Sequence, residues 1–163
     1  MKWYEVAKSL IGTREIVGPK HSPTILGWAK RLGSRALGIA IVDDETPWCG
    51  TFVAHCVAEA GLEPPKVAVR ASSWEAWGAN LRADRLAPGA VLVFKRPGGG
   101  HVGFYVGEDA TAYHVLGGNQ SNAVNVTRIA KDRCVARRWP TGVAVVGSPV
   151  WIGSGGKLST NEA

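Results

Sequence analysis

The sequence has few of the features that mark membrane-spanning, disulfide-rich or metal-binding proteins. No apolar run in its 163 residues approaches the roughly 18 that suggest a membrane span. The three cysteines, Cys49, Cys56 and Cys134, form neither a CxxC pair nor a zinc-ligand spacing with the histidines, and their odd number argues against a disulfide framework. The acidic stretch 43–45 lacks the alternating ligands of a calcium loop. We therefore expect a reducing compartment and no metal, cofactor or stable membrane insertion.

Charge and composition narrow the range of partners. Hydrophobic residues make up 45% of the chain and charged residues 20%, which is ordinary for a globular domain. The net charge of +6 favours an anionic partner, but the lysines and arginines are scattered and not interleaved with aromatics. We therefore do not expect nucleic acid to be that partner. No apolar stretch follows Lys2 as it would in a secretory signal, so we expect synthesis in the cytoplasm.

The hydrophobic pattern changes from helical to strand-like along the chain. Helical spacing predicts helices over residues 3–11, 23–32, 48–60 and 72–78, the second of them capped by Ser22. Alternation and turn signals predict strands over residues 90–94, 101–107, 111–116, 124–129 and 134–139, with 143–146 extending the sheet. This order indicates an α+β domain over residues 1–152, in which N-terminal helices pack on a five- to six-stranded antiparallel sheet. Residues 153–163 are expected to form a flexible tail.

Cys49 is the candidate nucleophile because it falls in the first turn of the third predicted helix. A thiol attacks an amide as the thiolate, and a helix N-terminus with a nearby histidine stabilises that form. Pro47 sets the entry to the helix, and Gly50 leaves the backbone beside the sulfur uncrowded. The alternative is that Cys49 is a small buried apolar residue, which is our interpretation of Cys56 and Cys134.

His101 is the candidate base because it opens an apolar strand directly after three glycines. Imidazole suits proton transfer near neutral pH, although a strand-end histidine is also common at a surface, and His114 in the next strand is a rival. A catalytic imidazole needs a partner on its second nitrogen. Asn119, at the end of the next strand, is the first candidate for this partner and His114 the second. Asparagine after two glycines is equally typical of a turn.

Three stretches carry a resemblance to a known family: residues 47–53 (PWCGTFV), 100–107 (GHVGFYVG) and 116–120 (LGGNQ). They resemble the cell-wall branch of the papain-like peptidases, in particular the CHAP type (cysteine, histidine-dependent amidohydrolase/peptidase) and the related NlpC type. Within that group the chain is most similar to compact proteins of phages and prophages. Many relatives have Gly-Asp ahead of the strand that precedes the histidine, whereas this chain has Gly89-Ala90. Some relatives have a glutamate where this chain has Gly117-Gly118.

The resemblance implies a papain-like α+β core, chemistry without a metal, and peptidoglycan as the substrate. It implies Cys49 as the nucleophile, His101 as the base and Asn119 as the residue that orients the base. We also predict that five neighbouring residues bind the substrate. These are Trp48, Gly50, Gly100, Gly118 and Gln120.

The function implied by the resemblance is hydrolysis of an amide bond in peptidoglycan. The enzyme would be an N-acetylmuramoyl-L-alanine amidase or an endopeptidase of the peptide stem, acting as a monomer. Its expected role is that of a phage endolysin, made in the host cytoplasm and admitted to the cell wall by a holin. The alternatives are a secreted antibacterial amidase toxin and a catalytically inactive wall-binding or phage structural protein with the same fold.

Overall fold

The computed structural model describes residues 1–14, 22–37, 48–153, 158–160 and 162. The α-helices in this part of the chain are α1 (Lys2–Ser9), α2 (Pro23–Leu37) and α3 (Cys49–Glu59). The strands are β1 (Ala79–Asn80), β2 (Val91–Arg96), β3 (Gly99–Glu108), β4 (Ala112–Gln120), β5 (Ala123–Ala130), β6 (Cys134–Trp139) and β7 (Leu158–Ser159). Short 3-10 helices lie at Ala71–Trp74, Ala83–Arg85 and Lys131–Arg133.

All of these strands join one sheet in the order β1-β6-β2-β3-β4-β5-β7. Neighbours are antiparallel except β5 and β7, which are parallel. The α+β class is confirmed, but the described residues form seven strands where we predicted five to six. The additional strands, β1 and β7, have two residues each, too few for alternation to mark them in the sequence. Residues 143–146, which we expected to extend the sheet, form no strand.

Helix α3, predicted over residues 48–60, begins at Cys49 and ends in a glycine turn. Gly61 has a φ of 79°, the left-handed conformation that glycine adopts without a steric penalty. Its N–H donates to the carbonyl of Ala58 at 2.9 Å, and the N–H of Leu62 donates to Val57 at 3.0 Å. These two bonds are those of a Schellman motif, which satisfies carbonyls at the helix end.

Helix α3 lies between α2 and the centre of the sheet. The ring of Phe52 lies 5.7 Å from Trp28 of α2 and 6.1 Å from Phe104 of β3, centroid to centroid. All three side chains are buried, and burial of one such side chain stabilises the fold by about 1.5–3 kcal/mol. This packing holds the first turn of α3 against β3, the strand that carries His101.

Helix α2 begins as predicted, with Pro23 in its first position and the Ser22 hydroxyl 3.4 Å from the N–H of Ile25. Gly33, the predicted end, has a non-helical φ of 79° and interrupts the helix, which continues to Leu37. The loop histidine His21 and the predicted approach to α3 at 43–47 lie outside the described residues. None of the helices described is long and apolar enough to cross a membrane.

Residues 158–160 and 162, which lie in the segment that we predicted to be a flexible tail, pack against the sheet. Strand β7 pairs with β5, and the side chain of Glu162 has no exposed area. Its carboxylate forms an ion pair with Arg133 and accepts a hydrogen bond from the Ser159 hydroxyl at 2.6 Å. Arg133 also donates to the backbone carbonyl of Lys95 at 2.8 Å, which ties this segment to the end of β2.

Candidate active site

Cys49 and His101 meet where the first turn of α3 contacts the beginning of β3. Cys49 is the first residue of the helix, and His101 is fully buried close to the start of the strand. The thiol and the imidazole are close enough for each to shift the pKa of the other, and the backbone N–H groups of Val102 and Gly50 also lower the pKa of the thiol. The structure therefore brings together the two residues that the sequence identifies as nucleophile and base.

The electrostatics of the pair shift the equilibria of Cys49 and His101 toward their charged forms, the thiolate and the imidazolium. Burial raises the pKa of the Cys49 thiol, but the hydrogen bond and the charge of His101 outweigh burial and bring that pKa below the ordinary 9.0. Burial lowers the pKa of His101, but the hydrogen bond and the charge of Cys49 outweigh this and raise it above 6.5, with smaller contributions from Gln120 and Glu162. Each charged form stabilises the other, so both shifts increase the population of the nucleophilic thiolate.

Gln120 holds the second nitrogen of His101. Its side-chain oxygen Oε1 lies 2.9 Å from His101 Nε2. The amide nitrogen of Gln120 donates to the backbone carbonyl of Asn125 at 2.8 Å and to its side-chain oxygen at 2.9 Å. Because that nitrogen faces acceptors, Oε1 faces the imidazole, and His101 Nε2 must carry the hydrogen that it donates. Nδ1 of His101 is buried and has no hydrogen-bond partner among the described residues, which leaves it available to exchange a proton with Cys49.

The structure thus places Gln120, and not the predicted Asn119, against His101. Strands β4 and β5 pair regularly as far as Gly117, and the register then shifts by one residue before Gln120. Asn119 lies in this β-bulge with a φ of 57°, a conformation that asparagine tolerates. In an unbroken strand, Gly117 and Asn119 would share a face; the extra residue brings Gln120 to that face instead. Asn119 donates from Nδ2 to the backbone carbonyl of Glu162 at 3.3 Å.

Close contacts explain both glycines before the bulge. A Cβ at Gly117 would lie 2.6 Å from Gln120 Oε1 and 3.2 Å from His101 Nε2, so glycine leaves room for the bond between them. A Cβ at Gly118 would lie 2.8 Å from the Cβ of Phe52 and from ring carbons of Trp48. Gly118, which we predicted to bind substrate, is therefore a packing position between β4 and α3.

A groove with a volume of about 490 Å³ gives access to Cys49. It lies between the 3-10 helix at Ala71–Trp74 and the hairpin of β2 and β3. Cys49 lines the groove although only 5% of its surface is exposed. The charged residues of the lining were not predicted from the sequence, because the two segments that supply them are joined only by the fold. Among the described residues they are Arg70, Glu75, Lys95 and Arg96.

Only one of the residues predicted to bind substrate, Gly100, lines this groove. Trp48 is buried in the core, where its ring lies 6.1 Å from that of Trp28. Gly50 is also buried, and the space that a side chain would take is filled by the backbone of residues 68–69. We expected Gly50 to leave the sulfur accessible. Its observed role is to let two parts of the backbone approach each other closely.

Substitution of Gly50 with alanine should destabilise the protein. The added Cβ would lie 2.2 Å from the carbonyl oxygen of Ala68, and because that atom belongs to the backbone it cannot rotate away. Overpacking of this kind costs about 1–3 kcal/mol, which urea unfolding measures. The matched control is Gly27→Ala in α2, where no atom lies within 4 Å of the new Cβ and a gain of up to about 1 kcal/mol is expected. Equal unfolding midpoints for Gly50→Ala and wild type would contradict the close contact.

His114, the rival to both His101 and Asn119, belongs to a separate polar cluster. Its Nε2 lies 2.8 Å from Asp109 Oδ2, and Arg128 Nε donates to the same oxygen at 2.9 Å. The Arg128 guanidinium is the main cause that holds the pKa of Asp109 well below its usual range. The cluster cross-links β4 and β5, and no contact joins His114 to His101.

Iodoacetamide should alkylate Cys49 at least about tenfold faster than Cys56 or Cys134 at neutral pH, because only the thiolate reacts. Burial raises the pKa of Cys134, and it raises the pKa of Cys56 well above 9.0, whereas the pKa of Cys49 is lowered. Mass spectrometry of peptides after timed labelling gives the three rates. The midpoint of the Cys49 rate against pH should lie below 9.0 and rise in His101→Ala. Equal rates at the three cysteines would contradict the predicted activation.

Comparison with known proteins gives one family match. Residues 41–119 match the family model described as the CHAP domain, and no curated protein matches the chain. The matched range includes Cys49 and His101 and ends one residue before Gln120. In the part of the chain that the structure describes, no three His, Cys, Asp or Glu side chains are grouped so that they could hold a metal ion.

Proposed function

The chain carries a CHAP domain, of the papain-like peptidase and amidase type, and from this premise we propose that it hydrolyses an amide bond of bacterial peptidoglycan. Cys49 is the nucleophile, His101 is the general acid and base, and Gln120 orients His101. The observation that carries the proposal is the placement of Cys49, at the start of α3 and on the lining of an accessible groove, beside the buried imidazole of His101. The enzyme acts as a monomer, with residues 1–152 as its catalytic domain.

The first chemical step transfers the acyl group to Cys49. The thiolate attacks the carbonyl carbon of the scissile amide, and negative charge develops on the carbonyl oxygen. The first N–H groups of α3 have no acceptor within the helix, so they can donate to this oxygen. The carbon–nitrogen bond then breaks, and His101 gives its Nδ1 proton to the leaving amine. The products are a thioester on Cys49 and a free amine.

The second step releases the acyl group with water. Neutral His101 takes a proton from the water at Nδ1, and the hydroxide attacks the thioester carbon. The carbon–sulfur bond breaks, which leaves a carboxylic acid and restores the thiolate beside the imidazolium. Throughout both steps Gln120 accepts the Nε2–H hydrogen bond, which keeps Nδ1 directed toward the sulfur and the substrate.

Digestion of purified sacculi tests the proposal and identifies the bond that is cleaved. Mass spectrometry should detect soluble fragments with one new amine and one new carboxylate for each cleavage. A free lactyl carboxylate on muramic acid would identify an N-acetylmuramoyl-L-alanine amidase, and a cut within the peptide stem would identify an endopeptidase. Products with only new reducing sugar ends, or no products at all, would refute amide hydrolysis.

The biological role that we propose is that of a phage endolysin. The enzyme is made in the host cytoplasm and acts on the cell wall once a holin opens the membrane. The net charge of +6 supports this role, because it favours association with an anionic envelope. Expression in bacteria should cause rapid lysis when a holin is co-expressed. Rapid lysis without the holin would contradict the holin-dependent role and leave the hydrolase assignment intact.

A further inference from the structure

The described lining of the groove in front of Cys49 has more cationic than anionic residues. The charged residues in this lining are the cationic Arg70, Lys95 and Arg96 and the anionic Glu75. Arg70 lies on the wall next to the 3-10 helix, whereas Lys95 and Arg96 lie at the end of β2. The cations therefore face the groove from both of its walls, and a ligand bound over the sulfur would lie between them.

No carboxylate in the part of the chain that the structure describes forms an ion pair with these cations. Among the described residues, neither Arg70 nor Lys95 forms an ion pair or a side-chain hydrogen bond. Arg96 donates to the backbone carbonyls of Gly100 at 3.0 Å and Pro97 at 3.1 Å, which fixes the guanidinium at the turn without cancelling its charge. Arg133 donates to the backbone carbonyl of Lys95, which holds the backbone at the end of β2 in place.

We propose that this groove selects amide substrates that carry a free carboxylate beside the scissile bond, with Arg70 and Lys95 as the residues that bind it. The inference rests on the proposed function, since it assigns the substrate class of the same site. A carboxylate near a reacting amide would form charge-assisted hydrogen bonds with these side chains. Both side chains are exposed and screened by solvent, so each should contribute only about threefold to tenfold to kcat/KM.

Chemical amidation of the cell wall provides the test. Sacculi treated with a carbodiimide and ammonia carry carboxamides in place of carboxylates, while their scissile amides remain. A muramidase, which cleaves the glycan, serves as the control that treated sacculi are still accessible. Wild-type enzyme should digest untreated sacculi about tenfold or more faster than amidated sacculi, and added salt should reduce this preference.

Two double variants of equal net charge separate the groove from the overall charge. Arg70→Gln/Lys95→Gln removes both proposed ligands, and Lys66→Gln/Arg85→Gln removes two exposed cations that do not line the groove. The groove variant should lose the preference for untreated sacculi through a higher KM, with Cys49 labelled by iodoacetamide at the wild-type rate. The control variant should keep the preference. If the groove variant keeps it, or both variants lose it equally, the proposal is overturned.

A binding measurement keeps this inference separate from catalysis. Cosedimentation of Cys49→Ala protein with the two kinds of sacculi measures the preference without turnover. Stronger binding to untreated sacculi that is lost when the groove substitutions are added would support carboxylate recognition. This conclusion would hold even if the wild-type enzyme cleaves neither kind of sacculus, and in that case only the proposed function fails. Equal binding to both sacculi would refute carboxylate recognition whether or not the enzyme cleaves them.

Discussion

Replacement of Cys49 with alanine should abolish the loss of turbidity that wild-type protein causes in purified cell walls. The substitution removes the atom that forms the thioester, and no other described cysteine combines a lowered pKa with access to the groove. Loss of a catalytic nucleophile typically costs on the order of 10⁴- to 10⁶-fold in kcat. Turbidity decay measured over several hours, with product analysis by mass spectrometry, covers that range.

The folded state must survive for this result to bear on catalysis. Cys49→Ala deletes one atom at the edge of a groove, so the urea midpoint should change little. Cys134→Ser is the matched control, because Cys134 is a partly buried thiol in β6 that should have no role in the reaction. Cys134→Ser should lyse walls at the wild-type rate. Lysis by Cys49→Ala at that same rate would remove Cys49 from the mechanism.

Much of the fold could be predicted because its main elements have local signals. The apolar face and the terminal Gly61 mark α3, and five of the strands appear as apolar or alternating runs between turn residues. The elements that the sequence did not reveal are held by distant partners. Strand β7 exists because Leu158 and Ser159 pair with β5, and β1 exists because Ala79 and Asn80 pair with β6. A pair of residues carries no periodicity, so only the tertiary structure defines such strands.

In the candidate site, too, the residues that could be predicted have local sequence signals, and the others are defined only by the tertiary structure. Cys49 and His101 each have a recognisable local setting, at the start of a helix and after a glycine run. The charged residues of the groove have no such local signal in the sequence, because Arg70 and Lys95 are separated by 25 positions and line the same groove only in the folded chain. The packing role of Gly50 is likewise visible only once the backbone of residues 68–69 is placed against it.

The hydrogen-bond partner of His101 Nε2 was not predicted from the sequence for a more specific reason. Strict alternation along β4 assigns the face of His101 to Gly117 and Asn119. A bulge reverses that assignment after Gly117, and a bulge of this kind is set by pairing with β5. The left-handed Asn119 could have suggested a break in the strand, since asparagine favours such conformations, but not the direction in which Gln120 would then point.

Gln120→Leu should lower kcat on the order of 10²-fold and leave KM much less affected. Leucine retains most of the side-chain volume but cannot accept the hydrogen bond from His101 Nε2, so the imidazole loses its fixed tautomer and orientation. Gln120→Glu should not restore full activity. Its second oxygen would replace an amide nitrogen that donates to two oxygens of Asn125, and two acceptors would then face each other.

The pH profile distinguishes positioning of His101 from a general structural effect. The hydrogen bond from His101 to Gln120 helps to raise the pKa of His101, so its loss should lower that pKa. The imidazolium would then lose its proton at lower pH, and the alkaline limb of kcat/KM should move to lower pH. Asn119→Gly is the matched control, since glycine keeps the backbone φ of 57° and removes only the side chain. A wild-type profile for Gln120→Leu, together with a shifted profile for Asn119→Gly, would return the orienting role to Asn119.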